Sequence, residues 1–224
     1  MIYIIGDSHV SVFSGTDTTN QGLRHIQPEF GTCYTLSQGQ LKEHINKFEQ
    51  RIPFFCPIKI GSYTAYNSLN KLPVIEQAIL EYGIKEGDYV FLSFGEIDIR
   101  NHIGFHTMNI EEGIKQCVDR YIRTILSLKN RSFKVGVYAP PASTIGGTTV
   151  EYGDVILRNS MTLQFSAYLK KLCTENEIIF KDIAPLLMLP DGTTDESYIM
   201  DDIHLAQKAM PLLLEEFVDI ISQS

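Results

Sequence analysis

The sequence predicts a single α/β domain, a parallel sheet of about five strands with helices on both faces. Short, nearly continuous apolar runs alternate along the chain with longer stretches of helical spacing, the pattern of strands buried on both sides and joined by crossover helices. The length, 224 residues, suits one large domain at about 150 residues per domain. No internal repeat, low-complexity tract or Ser/Gly linker divides it.

Each element has its own signal. Strands are expected at residues 2–5, 54–60, 89–94, 133–139 and 178–180, where β-branched and aromatic residues cluster. Leu41, Ile45 and Phe48, at steps of four and three, mark one helix. Val74, Ala78 and Tyr82, at steps of four, mark a second that Gly83 would stop. The clearest helix is expected over 110–128: Ile114, Val118, Tyr121, Ile125 and Leu128 share a face, and Asn109 with Glu112 offers a capping box. Another is expected over 155–174, and a last one near Pro211, whose missing N–H is harmless in a first turn. Two loops, 101–109 and 140–153, follow the third and fourth strands. Ligand sites in parallel sheets gather at the carboxyl ends of strands, so both loops are expected to wall a pocket.

Composition narrows the function. Nineteen Lys and Arg against 27 Asp and Glu give a formal charge of −8, which repels a polyanion, so nucleic acid is not an expected partner. No apolar run reaches the roughly 18 residues of a membrane span, and the amino-terminal stretch has no basic region followed by a cleavable apolar segment, so a cytoplasmic location is expected. The four cysteines, Cys33, Cys56, Cys117 and Cys173, form no C-x-x-C pair and read as buried free thiols rather than disulfides or zinc ligands.

The chemistry concentrates at the two ends of the chain. Gly6-Asp7-Ser8-His9 closes the first strand, so Ser8 emerges where a nucleophilic hydroxyl can be exposed yet held rigidly. Such a hydroxyl needs a base. Of the six histidines, His9, His25, His44, His102, His106 and His204, the last is best placed, because Asp201 lies three residues before it on a turn into the final helix and can fix the imidazole's tautomer. As a base it would be expected to titrate near about 6.5.

These blocks, in this order, resemble the GDSL or SGNH hydrolase family across almost the whole chain. The resemblance implies a flavodoxin-like three-layer α/β/α sandwich with Ser8 as nucleophile, Asp201 as acid and His204 as base. Gly61, in Ile60-Gly61-Ser62, sits where the family has the glycine whose N–H helps hold the oxyanion together with that of the nucleophile. Read without the resemblance, Gly61 is a turn glycine and Ser62 a helix N-cap. The family's Gly-x-Asn-Asp block departs here to Gly95-Glu96-Ile97-Asp98, and Ile97 cannot donate the asparagine's hydrogen bond. The run continues through Arg100, the leading candidate to supply the lost positive potential, to the oxyanion or to an anionic substrate group. Glu96, Arg100 and His102 are the candidate substrate contacts. Against that, Arg100 would be an ion-pair partner of Glu96 or Asp98, and His102 and His106 would line a polar loop. Asp7 is expected to organise the nucleophile's turn rather than to react.

The resulting expectation is a serine esterase acting on a small acyl ester, by family analogy an O-acetyl group on a carbohydrate, with no cofactor or metal. Three other readings stand beside it. An acyltransferase would use the same residues with a sugar hydroxyl as acceptor. A protein weakened by Ile97 would only bind a glycan or a partner. A metallophosphoesterase would use Asp7 and His9 as metal ligands, with Asn101-His102 as its Asn-His pair, but the histidines after His106 are too few to complete two metal sites.

Overall fold

The computed structural model describes residues 1–14, 55–146 and 151–223. The expected helix around Leu41 to Phe48, and His25, His44 and Cys33, lie outside the described residues. Five strands form one parallel sheet: β1 (Ile2–Gly6), β2 (Phe55–Lys59), β3 (Tyr89–Ser93), β4 (Lys134–Tyr138) and β5 (Ile179–Lys181), in the spatial order β2-β1-β3-β4-β5. The described helices are α1 (Leu72–Glu81), α2 (Ile103–His106), α3 (Ile110–Lys129), α4 (Val155–Glu175), α5 (Ala184–Leu187), α6 (Met210–Glu216) and α7 (Val218–Ile221).

Alternation along the strands explains the three layers. Ile5, Ile58, Val90 and Leu92 share a core with Ile75 of α1, Val118 and Tyr121 of α3 and Phe165 of α4. Their strand neighbours Ile2, Ile4, Tyr89 and Phe91 point the other way, into a core with Val10, Phe13, Leu213 and Phe217. Because both faces are dry, every residue of β3 is buried, which is why the strand reads as a continuous apolar run. Phe217, at the end of α6, sits within ring-to-ring distances of 4.9 Å of Phe91, 5.3 Å of Phe55 and 6.0 Å of Phe13. This aromatic cluster ties the carboxyl-terminal segment to the stretch that follows β1.

Several element boundaries and caps differ from those expected. On α1 the buried residues are Ile75, Ala78 and Ile79, while Val74 is exposed, so the apolar face lies one residue along from the expected stripe. Asn109 caps α3 by accepting the Glu112 N–H at 3.2 Å, but the capping box is half made: the Asn109 N–H goes to Thr107 Oγ1, and Glu112 accepts from Gln116. Ser62 caps no helix, since the next turn begins at Ser68 and α1 at Leu72. The expected loop over 101–109 is partly helical: a π-helical turn, Asp98–His102, runs into α2. Such turns defeat a 3.6-residue reading because they carry an extra residue. Cys56, Cys117 and Cys173 are buried free thiols.

Candidate active site

The carboxyl ends of β1, β2 and β3 meet at one level. Gly6 pairs in register with Lys59 on one side and Ser93 on the other. The Ile60 N–H donates to the Gly6 carbonyl at 3.0 Å and the Asp7 N–H to the Ser93 carbonyl at 3.4 Å. Glycine is required at position 6, because a Cβ there would stand 2.2 Å from the Ser93 carbonyl oxygen. That close approach places Ser8, at the start of a 3₁₀ turn (Ser8–Ser14), beside the segment leaving β3. The Asp7 carboxylate accepts the His9 N–H at 2.9 Å and so shapes the turn, as expected of a short acidic residue.

The other half of the site comes from a small hairpin. Ile199 and Leu205 form an antiparallel bridge, and the Met200 N–H donates to the His204 carbonyl at 2.8 Å. Asp201 occupies its tip, where Oδ1 accepts the Ile203 and His204 N–H groups at 2.8 and 2.7 Å. The same carboxylate meets His204 Nδ1 at 2.9 Å through Oδ2. The hairpin is fastened by Gln207, whose Nε2 donates to the Val12 carbonyl at 2.8 Å, and by the Thr144 hydroxyl, which donates to the Asp202 carbonyl. His204 Nε2 then lies 2.8 Å from Ser8 Oγ. With Nδ1–H committed to Asp201, Nε2 carries the lone pair that can accept the serine proton.

Burial and the neighbouring His9 push His204 below the ordinary histidine range, against the opposing pull of Asp201 and Glu96. The base is therefore unprotonated at neutral pH and titrates lower than the unperturbed value expected from sequence. Asp201 is itself held below the usual carboxylate range: burial would raise it, but the hydrogen bonds from His204 and Ile203 outweigh that.

Gly61 follows β2 directly and has φ +127°, a conformation that L side chains rarely adopt, so a glycine is needed there. Among the described residues no acceptor takes the N–H of Ser8 or of Gly61. Ile97 is half-buried and opens the π-helical turn. Glu96 and Arg100 are buried together: Arg100 Nε donates to Glu96 Oε1 at 2.6 Å and Nη2 to Oε2 at 3.2 Å. Glu96 Oε2 also meets His9 Nε2 at 3.0 Å. Burial would raise Glu96, yet the two cationic partners hold it down at about 2. Asp7, in contrast, is pushed up to about 6 by burial, which its hydrogen bond from the His9 N–H only partly offsets.

His102 lies elsewhere. It is exposed, stacks on His106 with ring centroids 5.7 Å apart, and lines a cavity of about 380 Å³ beside Thr64, Tyr66, Asp98 and Gln116. Neither Ser8 nor His204 lines that cavity. Asp98, at its floor, accepts the Ala65 and Tyr66 N–H groups at 2.6 and 3.2 Å, which fixes the segment after Gly61. Burial raises its carboxyl to about 6 despite those bonds. Asp7 and His9, the metal ligands of the phosphoesterase reading, are turned to partners within the turn and to Glu96, and among the described residues no group of three or more His, Cys, Asp or Glu is arranged to hold a metal. No described helix is long and apolar enough to cross a membrane.

The His9–Glu96 contact was not legible in the sequence, because the two residues are 87 positions apart and neither belongs to a recognised pair. The only signal was a second histidine directly after the serine. No protein-family model and no curated protein sequence matches the chain. Solved structures do. A GDSL-like lipase from Bacteroides thetaiotaomicron aligns with a TM-score of 0.59 at 9% identity, over 98% of this chain and 88% of its own. A lipase/acylhydrolase from Enterococcus faecalis aligns at 0.56 and 14%, over 100% and 96%. An acetylxylan esterase from Geobacillus stearothermophilus aligns at 0.57 and 13%, over 96% and 92%; its catalytic mutants replace a serine, an aspartate and a histidine three positions after that aspartate. The chain thus has the α/β/α fold of the GDSL-like acylhydrolases, with a five-stranded parallel sheet at its centre.

Proposed function

We propose that the protein is a serine esterase that cleaves a small acyl ester through Ser8, His204 and Asp201. The observation that carries this reading is the unbroken hydrogen-bonded chain from Ser8 Oγ to His204 Nε2 at 2.8 Å and from His204 Nδ1 to Asp201 at 2.9 Å, assembled from opposite ends of the sequence. Ser8 Oγ attacks the ester carbonyl as its proton passes to His204 Nε2, and Asp201 steadies the imidazolium that forms. The oxyanion is received by the N–H groups of Ser8 and Gly61. On collapse, His204 returns the proton to the departing alkoxide. A water molecule deprotonated by the same nitrogen then releases the acid from Ser8. Arg100, held by Glu96 in the segment after β3, adds positive potential where Ile97 removed a donor.

The acyl group we assign is small, an O-acetyl on a carbohydrate, supported by the fold shared with acetylxylan esterases. The test is release of acetate from acetylated xylo-oligosaccharides and from an aryl acetate, compared with a long-chain aryl ester. Hydrolysis of both acetates, lost in Ser8→Ala, is expected. Failure to cleave any of the three, by a folded protein, overturns the esterase reading. Cleavage of only the long-chain ester overturns the assigned acyl group.

A further inference from the structure

His9 is as closely engaged as the three residues above, yet that reaction leaves it without a task. Its side chain is 3% exposed, its Nε2 meets Glu96, and its Nδ1 is buried with no hydrogen-bond partner among the described residues. Its ring lies against that of His204, centroids 5.0 Å apart and planes at 36°. A buried imidazole with an unmade hydrogen bond is costly, and such groups persist where something else requires them. We propose that His9 is a positioning residue for His204: clamped by Glu96 in a buried ion cluster with Arg100, it presents a fixed imidazolium to the ring of the base. The inference rests on the esterase reading for its catalytic meaning.

The charges around the two rings come from three segments. Asp7 adjoins His9 in the turn after β1, Glu96 and Arg100 approach from the segment after β3, and Asp201 approaches from the hairpin. Glu151 also acts on Arg100, and Arg158 of α4 holds Glu151 at 2.8 Å. Glu96 is shared between His9 and Arg100, and the positive charge of His9 faces His204 across the ring contact. The second carboxylate near His9, Asp7, is too deeply buried to carry full charge except above about pH 6. Burial disfavours the charged form of His9, but the Glu96 carboxylate paired with it outweighs that and raises its affinity for a proton. A cation at this range disfavours a second imidazolium on His204. The base then stays ready to accept the serine proton in mildly acidic solution, and the imidazolium formed during turnover is a stronger acid toward the leaving alkoxide.

The experiment is a ¹⁵N-detected titration of the histidine rings in the resting wild-type protein. His9 is expected to keep both ring nitrogens protonated at pH 7 while His204 is neutral; a neutral His9 at that pH overturns the proposal without any variant. In His9→Gln and His9→Phe, the second of which keeps a planar ring, His204 should titrate higher by roughly half a unit or more, and the acidic limb of kcat/KM should move with it. An unshifted His204 in folded variants overturns the proposal and assigns His9 to packing alone. The ring titration reads the same whether or not the protein cleaves an ester, so a protein inactive on every ester refutes the reaction and leaves this measurement standing.

Discussion

Two histidine–carboxylate pairs stand side by side in this molecule and are tuned in opposite directions. His204 and Asp201 sit on a hairpin, where the Asp201 side chain is 36% exposed. His9 and Glu96 lie under the ends of β1 and β3 with side chains 3% and 5% exposed. The contact geometry is nearly the same, 2.9 Å against 3.0 Å. The difference lies in what else surrounds each pair. Glu96 is gripped by a second cation, Arg100, and is held at about 2, so it remains a full charge and its histidine is raised. Asp201 shares its charge with two backbone N–H groups, and its histidine, buried and facing a cation, is lowered. The same two residue types become a proton acceptor in one place and a fixed charge in the other, and surroundings decide which.

The largest expected effect separates the pairs by function. Ser8→Ala should lower esterase kcat by roughly a thousandfold or more while the melting temperature stays near wild type, because a half-buried hydroxyl contributes little to packing. Full activity in that variant would remove the Ser8–His204 pair from the reaction. Glu96→Ala should act first on stability. It removes the carboxylate that His9 and Arg100 share in a buried cluster, so urea unfolding should report a loss of about 3–5 kcal/mol. Unchanged stability would show the inner cluster to be far less enclosed than its geometry implies.

Arg100 probes the join between the pairs. Arg100→Ala should lower kcat by roughly a hundredfold with a smaller change in KM, since the positive potential matters most when the oxyanion has formed. Arg100→Lys keeps the charge but loses the planar two-point contact with Glu96, and should recover only part of the activity. Wild-type kinetics on every ester would make Arg100 a purely structural ion. Were Arg100 instead to anchor an anionic substrate, KM alone would rise for that substrate.

The smallest effect concerns Asp98, a buried carboxylate with no cationic partner among the described residues. Its folded-state value is raised to about 6, so the folded protein binds the extra proton, and this contribution to stability is lost as pH rises from about 4 through 6. Asp98→Asn should flatten the fall in melting temperature across that window by several degrees. An identical pH profile in wild type and variant would show that Asp98 is not protonated in the fold. Glu96 works in the opposite sense, its contribution being present above about 4.5 and lost as pH falls toward 2.

Much of this was legible in the sequence where a local pattern meets a local cause. The five strands follow from apolar runs because both faces of the sheet are covered, and Ser8 and the Asp201-x-x-His204 turn were visible as short blocks at the ends of strand and chain. What escaped was set by tertiary context. The exposed Val74 shows that helical spacing identifies a stripe but not its angular position to within one residue. The π-helical turn at Asp98–His102 points Arg100 back at Glu96 while leaving His102 facing a separate cavity, which no count of residues after β3 foretells. The inner pair joins residues from the segments that follow two strands, β1 and β3, and Glu96, read from sequence as a substrate contact, has both oxygens engaged by His9 and Arg100.

The central claim is that Ser8 is activated by His204 and by nothing in the inner cluster directly. The most direct test is mass spectrometry after exposure to an organophosphonate serine probe at neutral pH. The account predicts a single adduct on Ser8 in the wild type and none in His204→Ala, with the adduct retained, formed more slowly at acidic pH, in His9→Phe. No adduct on Ser8 in the folded wild type, or an undiminished one in His204→Ala, would contradict it.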